Sequence, residues 1–473
     1  MSALFWGLLV LSVHLIGVVS AIKAAQHAHT AQGAVAWAIS LIAMPWIALP
    51  AYLLIGPPRP GELEDDQASF RATAYAHLFT NHMAPQDMAP LSQRWRALEE
   101  LAPAPVLHSG SPTLLVDGQQ IFEAMFELIE AAREHIVVQF YIYRDDGLGR
   151  RLHEVLTRRA SEGLKVQLLY DGIGARGVPE AYWQGLRDAG VEVLEFHLRR
   201  RLPKFMRINY RNHRKLVAAD WQVAIIGGPN VGDEYLGLDP DFGAWRDTAV
   251  RITGPAAQVA QAGFVVDWLW AGGDPADVQQ EPSLIAGNEE TKTPVLLFPT
   301  GPADTLPACS LGLMQLIGSA KNRLWLTTPY FVPDLDVLNM LKLAALRGVD
   351  VRVMIPDRPD HTIVWLAGFA YTDEILNAGV RLYRYTAGFM HQKVMLVDDE
   401  VAAVGTVNFD NRSLHLNFEN TTLVFDRAFA ASVAAMLEAD FTDSRLVNEA
   451  PYAEFSPLVR MLGPATRLLA PLR

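Results

Sequence analysis

Cysteine is nearly absent from the sequence: the chain of 473 residues has a single one, Cys309. A lone cysteine excludes an intrachain disulfide and a cysteine-based zinc site, and we expect it to be a small buried hydrophobe. Charged residues are also scarce, at 19%, and 52 acidic residues against 40 basic ones give a net charge of −12. This excess of acid disfavours a general nucleic-acid binder, which needs a broad basic surface.

Hydrophobic residues, in contrast, make up 50% of the sequence, and the mean hydropathy is +0.12. This composition excludes a disordered or fibrous chain. A length of 473 residues exceeds what one hydrophobic core usually supports, so we expect at least two lobes. We also expect part of the apolar surface to face lipid.

Two long uncharged runs stand at the N-terminus. Residues 3–22 carry no charge other than a possible one on His14, and as a helix they are long enough to cross a bilayer core. Residues 34–55 form the second run, in which we expect Pro45 and Pro50 to kink the helix. The sequence therefore predicts two transmembrane helices within residues 1–56, arranged as a hairpin. A cleaved signal peptide is the alternative, but a basic n-region is missing and the second run follows at once.

Basic residues near the two runs indicate the orientation in the membrane. Lys23 lies between the runs, and Arg59 and Arg71 follow the second one. Because cytoplasmic flanks carry an excess of Lys and Arg, this distribution favours both chain ends on the cytoplasmic side. We therefore expect the soluble part of the chain in the cytoplasm.

The rest of the chain contains an internal repeat. Residues 57–110 begin with prolines and an acidic patch and are predicted as a linker with some helix. Beyond them, the order helix, apolar strand, helix, strand occurs twice, which indicates two copies of one α/β domain. We predict a first lobe over residues 111–285 and a second over 286–473, each a mixed β-sheet flanked by helices, with one active site at their interface.

The strongest signal lies inside this repeat. Each copy contains the pattern H-x-K-x4-D followed by a glycine and an asparagine, and the offsets from the histidine are +2, +7, +14 and +17 in both. A single H-x-K would most simply be a histidine and a lysine at a strand end, whereas agreement at four offsets indicates a functional site. The residues are His213, Lys215, Asp220, Gly227 and Asn230 in the first copy and His391, Lys393, Asp398, Gly405 and Asn408 in the second.

The pattern predicts phosphodiester chemistry. In a strand, residues i and i+2 point to one face, so two such strands can place two imidazoles and two ammonium groups around one tetrahedral anion. A neutral imidazole is a competent nucleophile, and a second one can protonate the leaving alkoxide and later deprotonate the acceptor hydroxyl. The lysines and asparagines are expected to bind the phosphoryl oxygens. Because the lysines already supply positive charge, we predict no metal and no cofactor.

On these residues the chain resembles the phospholipase D superfamily, whose defining pattern is the doubled H-x-K-x4-D motif. The resemblance covers residues 105–473. The strings 213–235, 245–247, 328–331 and 408–413, with the two N-terminal runs, are similar to bacterial cardiolipin synthases in particular. This resemblance implies a multi-pass protein of the bacterial inner membrane. It also implies transfer of a phosphatidyl group through a phosphohistidine, from one phosphatidylglycerol to another, giving cardiolipin and glycerol.

The resemblance also implies roles for single residues. One histidine is the nucleophile, for which we favour His213, and His391 is then the acid and base. Lys215, Lys393, Asn230 and Asn408 are expected to bind phosphate, and Asp220 and Asp398 to hold the motif turns together. Asp247 and Glu419, at 34 and 28 residues past their histidines, are candidates to orient the imidazoles. Thr406 is a further candidate phosphate ligand, and the first copy has Gly228 in its place.

Other features indicate contact with lipid. Residues 198–215 contain eight basic side chains and no acidic one, which predicts an interfacial surface for anionic headgroups; a solvated basic loop and a nucleic-acid groove are the alternatives. The leucines and arginines of residues 458–473 fit an interfacial helix or packing on the second lobe. The aromatic residues Tyr141, Tyr143, Tyr330 and Phe331 either line a lipid pocket or pack in the core.

Several functions stay open at this point. The motifs activate phosphorus and do not choose the acceptor, so phosphatidylglycerol, phosphatidylethanolamine, water or another alcohol are all possible acceptors. A phosphodiester nuclease is disfavoured by the membrane runs and the negative charge. A silent lipid-binding scaffold is disfavoured because both motifs are complete. The partners expected are anionic phospholipids, phosphatidylglycerol and cardiolipin, with no nucleic acid; the oligomeric state is not determined.

Overall fold

The computed structural model describes residues 3–27, 31–56, 62–81, 88–89, 91–197, 209–274, 293–360 and 362–448. Most of the predicted basic surface and the whole predicted C-terminal helix lie outside these residues. Within them the chain forms three N-terminal helices and a mixed α/β body, and the body contains the predicted repeat.

The N-terminal helices are α1 (Ala3–His27), α2 (Ala31–Ala43) and α3 (Pro45–Ile55). Residues 4–26 of α1 form a helix long and apolar enough to cross a membrane, with a mean hydropathy of 2.2 over its most apolar window and only 11% of that window buried. Leu4, Leu11 and Leu15 are each more than 60% exposed, as expected of side chains meant for lipid. The prediction of a long apolar helix at the N-terminus is therefore confirmed, and its passage across a membrane stays a prediction.

The second apolar run does not form one kinked helix. It divides at Met44 into α2 and α3, because Pro45 occupies the first position of α3, where its missing N–H removes no hydrogen bond. α2 and α3 pack against α1, and a Cβ on Gly17 of α1 would lie 2.4 Å from the Leu41 carbonyl oxygen. Glycine thus permits the close approach of α1 and α2. A second membrane span remains a prediction.

The segment predicted as a linker packs on the body. Helix α4 (Glu62–Asn81) lies against α9 (Pro255–Trp270) and buries Ala74, Tyr75 and Leu78. A short helix, α5 (Arg96–Leu101), contributes Leu98 to the second lobe's core, and strand β1 (Leu107–Ser109) pairs with β10 (Thr293–Thr300). The predicted domain boundaries remain predictions.

The first lobe is built on a seven-stranded sheet. Its strands are β2 (Thr113–Val116), β3 (His135–Phe140), β4 (Lys165–Asp171), β5 (Glu192–Phe196), β6 (Leu216–Ala219), β7 (Val223–Gly227) and β9 (Thr248–Thr253), with a short β8 (Trp245–Arg246) outside the sheet; the helices are α6 (Asp117–Ala131), α7 (Gly147–Ser161), α8 (Glu180–Asp188) and α9. The strand order is β2-β9-β7-β6-β3-β4-β5, in which β3, β4 and β5 are parallel and the other pairs antiparallel. The amphipathic helix α6 covers this sheet with Ile121, Met125 and Ile129 buried.

The second lobe is a nine-stranded sheet in the order β1-β10-β19-β17-β16-β11-β13-β14-β20. Its central seven strands, from β10 to β14, match the first sheet in order and direction. The remaining elements are β11 (Arg323–Thr327), β12 (Phe331–Val332), β13 (Asp350–Pro356), β14 (Arg381–Tyr385), β15 (Phe389–Met390), β16 (Val394–Val397), β17 (Val401–Gly405), β18 (Phe409–Asp410), β19 (Glu419–Val424), β20 (Ser444–Leu446), α10 (Ala308–Ser319), α11 (Leu335–Leu346), α12 (Thr362–Asn377), α13 (Asn411–His415) and α14 (Arg427–Thr442). The predicted α/β fold with repeated domains is confirmed.

The two lobes share a hydrophobic core. One cluster of buried side chains joins the inner faces of both sheets, with Val137 and Ile226 from the first and Val404 and Val424 from the second. The short strand β8 of the first lobe pairs in parallel with β15 of the second. Burial of apolar surface on this scale resembles a domain core and fixes the lobes against each other.

The motif aspartates connect each motif turn to the neighbouring strand. The Asp220 carboxylate accepts hydrogen bonds of 2.8–2.9 Å from the backbone N–H groups of Arg133, Glu134 and His135, at the start of β3. The Asp398 carboxylate accepts equivalent bonds at the start of β11, from Lys321, Asn322 and Arg323. Both aspartates have a positive φ, 53° and 52°, which Asp tolerates better than most residues. Their predicted role in holding the turns agrees with these contacts.

This geometry predicts the effect of Asp220→Ala. The substitution leaves three N–H groups without their acceptor and places alanine at a positive φ, so we expect the variant to lose about 2–3 kcal/mol of stability. The measurement is the thermal unfolding midpoint in detergent. Asp241→Ala, an exposed loop variant, serves as the control and should melt like the parent. An Asp220→Ala protein with the parent's midpoint would contradict this role.

Candidate active site

Both H-x-K motifs lie in extended segments that bond to the opposite lobe. The His213 N–H donates to the Phe418 carbonyl at 2.9 Å, and the His391 N–H donates to the Arg246 carbonyl at 2.8 Å. The motifs thus precede strands β6 and β16, and the expectation that they stand within strands is wrong. Because the backbone there pairs across the lobe boundary, each histidine lies beside the residues that follow Phe418 and Arg246.

Those following residues are the two carboxylates, Glu419 and Asp247, both completely buried. His213 Nδ1 lies 2.9 Å from Glu419 Oε2, and His391 Nδ1 lies 2.7 Å from Asp247 Oδ2. The sequence analysis assigned each acid to the histidine of its own copy; the structure exchanges them, so each lobe supplies the carboxylate for the other lobe's imidazole.

These pairs fix the protonation of the imidazoles. A carboxylate beside Nδ1 holds a proton on that nitrogen, which leaves the lone pair on Nε2. Burial lowers the pKa of His213 and of His391 to about 4, although Glu419 and Asp247 act to raise it. In the free protein at pH 7, both imidazoles are therefore neutral.

The carboxylates stay ionised in spite of their burial. Burial acts to raise the pKa of Glu419 and of Asp247, but the facing imidazoles and the motif lysines outweigh it, and both pKa values are lowered. The Thr406 hydroxyl donates to Glu419 Oε2, and the Thr248 N–H donates to Asp247 Oδ1 at 2.9 Å. Such charge-assisted bonds stabilise the anionic form.

Thr406 is therefore placed against Glu419, which also receives an amide hydrogen bond from Asn417. Its contact with phosphate stays a prediction. Gly228 occupies the matching position because a Cβ there would lie 1.9 Å from Asp247 Oδ1. The carboxylate oxygen of Asp247 thus occupies the space that a side chain on this turn residue would need.

Each motif lysine is hydrogen-bonded to the backbone of the histidine two residues before it. Lys215 Nζ donates to the His213 carbonyl at 2.7 Å, and Lys393 Nζ donates to the His391 carbonyl. Burial lowers the pKa of Lys393 to about 8 and lowers that of Lys215 well below its usual range, while Glu419 and Asp247 act to raise both. Two lysines and two carboxylates thus face each other within one buried region.

The residue between each histidine and lysine anchors the motif to a helix. Arg214 forms an ion pair of 2.6 Å with Asp267 of α9 and donates to the Glu419 carbonyl at 2.9 Å. Gln392 donates to Asp440 of α14 at 2.7 Å. The Thr248 hydroxyl, next to Asp247, donates to Gln392 at 2.7 Å. These contacts fix the backbone beside both carboxylates, and the sequence analysis did not single out any of them.

A cavity of about 360 Å³ opens above the two histidines. Its lining includes His213 and His391, the asparagines Asn230 and Asn408, and residues of both lobes. Asn230 Oδ1 accepts from the Ile142 N–H at 3.0 Å and its amide donates to Tyr235 at 2.8 Å. Asn408 Oδ1 is buried without a hydrogen-bond partner among the described residues. This volume lies in the range of small-molecule sites.

Not every predicted residue reaches the cavity. Tyr141 and Tyr330 line it, whereas Tyr143 and Phe331 are buried in the cores of the first and second lobes. The turns that hold Asp220 and Asp398 bond to the starts of β3 and β11 instead. The described residues contain no cluster of three or more His, Cys, Asp and Glu side chains that could hold a metal ion. The expectation of no metal stays a prediction.

The cavity is also lined by charged residues that were not predicted individually from the sequence. Arg211 was part of the predicted basic stretch, and Arg412 was part of a matched string. Asp360 follows β13 and its carboxylate accepts a hydrogen bond from Tyr330. The position of Arg211, two residues before His213, is the one signal that could have identified it, because alternate residues of an extended segment point to one side.

Comparisons with known proteins agree with this architecture. A family model described as "cardiolipin synthase, PLD-like domain" matches residues 125–268 and 313–441. Cardiolipin synthase A of Pseudomonas entomophila (strain L48) is 42% identical over 490 aligned positions, covering 100% of this chain and 99% of the relative. Cardiolipin synthase A of Pseudomonas fluorescens (strain SBW25) is 40% identical, covering 98% and 97%.

Among solved structures, phosphatidylserine synthase of Haemophilus influenzae Rd KW20 superposes with a TM-score of 0.62. It is 17% identical, and the match covers 81% of this chain and 100% of that one, which shows a common fold. Matches of the family model to both halves of the body, together with relatives of more than 40% identity over the full length, identify the family. The chain belongs to the cardiolipin synthases of the phospholipase D superfamily.

Proposed function

We propose that this chain transfers a phosphatidyl group between two phosphatidylglycerol molecules, giving cardiolipin and glycerol, at a single site shared by the two lobes. The observation that carries the proposal is that two neutral imidazoles, each held by a buried carboxylate of the opposite lobe, line one cavity. The full-length similarity to cardiolipin synthases supports the choice of substrates.

In the first step, His213 Nε2 attacks the phosphorus of one phosphatidylglycerol. The phosphorus–oxygen bond to the headgroup breaks, and the glycerol oxygen takes a proton from His391 Nε2. Glycerol leaves, and the phosphatidyl group remains bonded to His213. Glu419 stabilises the positive charge that develops on this imidazole, as a carboxylate on Nδ1 does in other nucleophilic sites.

In the second step, the primary hydroxyl of another phosphatidylglycerol gives its proton to His391 Nε2. The oxygen attacks the phosphorus, the phosphorus–nitrogen bond to His213 breaks, and cardiolipin forms. Lys215 and Lys393, with Asn230 and Asn408, offset the negative charge on the phosphoryl oxygens in both transition states. The proposal requires no metal, because these groups supply the electrostatic stabilisation.

This mechanism predicts that His213→Ala and His391→Ala each reduce cardiolipin formation at least about a thousandfold, since each removes a group that makes or breaks a bond. The assay incubates pure protein with phosphatidylglycerol in detergent micelles containing a chelator and follows lipids and glycerol by mass spectrometry. The parent should release cardiolipin and glycerol in equal amounts, and lipid bound to His213 should be recovered from the parent protein when turnover is stopped by a rapid alkaline quench.

The matched control is His153→Ala, a half-buried histidine of α7 that should retain the parent's rate. Phosphatidic acid in place of cardiolipin would mean that water is the acceptor and would reassign the chain as a phospholipase D. Lipid recovered on His391 rather than His213 would exchange the two histidine roles.

The low pKa of the histidines creates a second prediction. His391 must carry a proton to act as the acid, yet its pKa of about 4 leaves it neutral at pH 7 in the free protein. An anionic phosphodiester between the imidazoles favours the protonated form and raises this pKa. Substrate binding should therefore take up protons at pH 7, and His391→Ala should take up about one proton fewer.

The measurement is calorimetric titration with a non-hydrolysable phosphonate analogue of phosphatidylglycerol, in buffers of different ionisation enthalpy. Lys215 and Lys393 also gain stabilisation of their charged forms, so the difference between the parent and His391→Ala isolates the histidine. Equal uptake by the two proteins would refute the acid role of His391.

We also propose that α1 and the α2–α3 pair form a membrane hairpin, with both lobes on the cytoplasmic side of the bacterial inner membrane. The support is the apolar and exposed surface of α1 and its packing against α2 and α3. Hairpin geometry places Lys23 near the opposite face.

Cysteine labelling tests this orientation with little background, because the single native Cys309 is buried. In right-side-out membrane vesicles, a membrane-impermeant maleimide should label Lys23→Cys and not Asp241→Cys. Inverted vesicles should reverse the result. Labelling of Asp241→Cys from the outside would place the lobes in the periplasm.

A further inference from the structure

Among the described residues, two arginines and two aspartates line the cavity. Arg211 and Arg412 are near Tyr141, whose ring lies 5.2 Å from that of His213. Burial raises the pKa of Tyr141, and both arginines act to lower it, which places their charges close to this ring. The carboxylates Asp360 and Asp410 act instead on Lys393.

Arg211 is held in a fixed position. Its carbonyl accepts the Phe418 N–H at 2.9 Å, so the segment that carries His213 also carries Arg211, and both side chains line the cavity. The residue is only 4% exposed. A guanidinium in such a place is costly unless it is paired and hydrogen-bonded.

The pairing of Arg211 within the described residues is incomplete. Its Nε lies 3.4 Å from Asp171 Oδ2, but Nε and Nη1 are buried without a hydrogen-bond partner there. The Asp171 carboxylate already accepts the backbone N–H groups of Ile173 and Asn212, at 2.9 and 3.0 Å. Arg211 therefore lines the cavity with a charged group whose hydrogen bonding among the described residues is incomplete.

We propose that Arg211, assisted by Arg412, binds the intact phosphodiester of the acceptor phospholipid. This inference rests on the proposed function. Cardiolipin contains two phosphates joined by glycerol, and the histidines, lysines and asparagines serve only the one that is transferred. The acceptor brings a second negative charge into the same cavity, and a planar guanidinium is the group that matches a phosphate in two hydrogen bonds.

This site selects a phospholipid as acceptor over water or glycerol. Water and glycerol have no phosphodiester for Arg211 to hold, so they lose the positioning that brings an acceptor hydroxyl to phosphatidyl-His213. The arginine is thus a specificity-determining residue for the second step and has no role in bond breaking.

Two reactions of the same protein separate the steps. Cardiolipin formation needs two phospholipids, whereas exchange of isotope-labelled glycerol into phosphatidylglycerol needs only one, because it is the first step and its reversal. Both are measured in phosphatidylglycerol micelles. For Arg211→Gln we expect the ratio of cardiolipin formation to glycerol exchange to fall at least about tenfold, with a smaller fall for Arg211→Lys and for the half-buried Arg412→Gln.

Arg187→Gln, on the surface of α8, is the matched control and should keep the parent's ratio. An unchanged ratio in Arg211→Gln, or an equal loss of both reactions in a protein that melts like the parent, would overturn the inference. Should Arg211→Gln fail to fold, the ratio in Arg412→Gln decides. Absence of glycerol exchange in the parent would instead refute the phosphohistidine mechanism, which is a separate result.

Discussion

The exchange of carboxylates between the lobes is the interaction on which the site depends. Glu419 of the second lobe holds His213 of the first, and Asp247 of the first holds His391 of the second. Neither imidazole is oriented within its own lobe, so the site exists only when both are packed. The shared hydrophobic core and the β8–β15 pairing exist at the same boundary, and they set the distance between the two halves.

Burial then determines the chemistry. It removes the charge from both histidines and makes Nε2 of each available, and it lowers the pKa of both motif lysines, while the two carboxylates act to raise those pKa values. An entering phosphodiester adds a negative charge to this buried region, where charges interact strongly because the medium has low polarity. Substrate binding and protonation are linked for this reason.

The sequence predicted the repeat, the α/β fold and the pattern of motif residues, because equal spacing in two copies reflects equal strand order. It predicted the first apolar helix because residues 3–22 form a long uncharged run. It predicted the wrong partner for each carboxylate, since His213 and Glu419 are 206 positions apart and no local pattern marks an exchange. The role of Thr406 as a phosphate ligand came from the family resemblance, and only the structure shows that its hydroxyl donates to Glu419. Arg211 was one of eight basic residues in its stretch, and its place in the cavity lining, two residues before His213, distinguishes it.

The unequal carboxylates constrain how the two halves can diverge. Asp247 leaves space only for Gly228, while Glu419 stands where Thr406 can reach it, so each turn residue matches the length of one acid. A side chain added at Gly228 alone would collide with Asp247. The turn residue of the first lobe can therefore change only if the acid that faces it changes as well, and neither half becomes a copy of the other by one substitution.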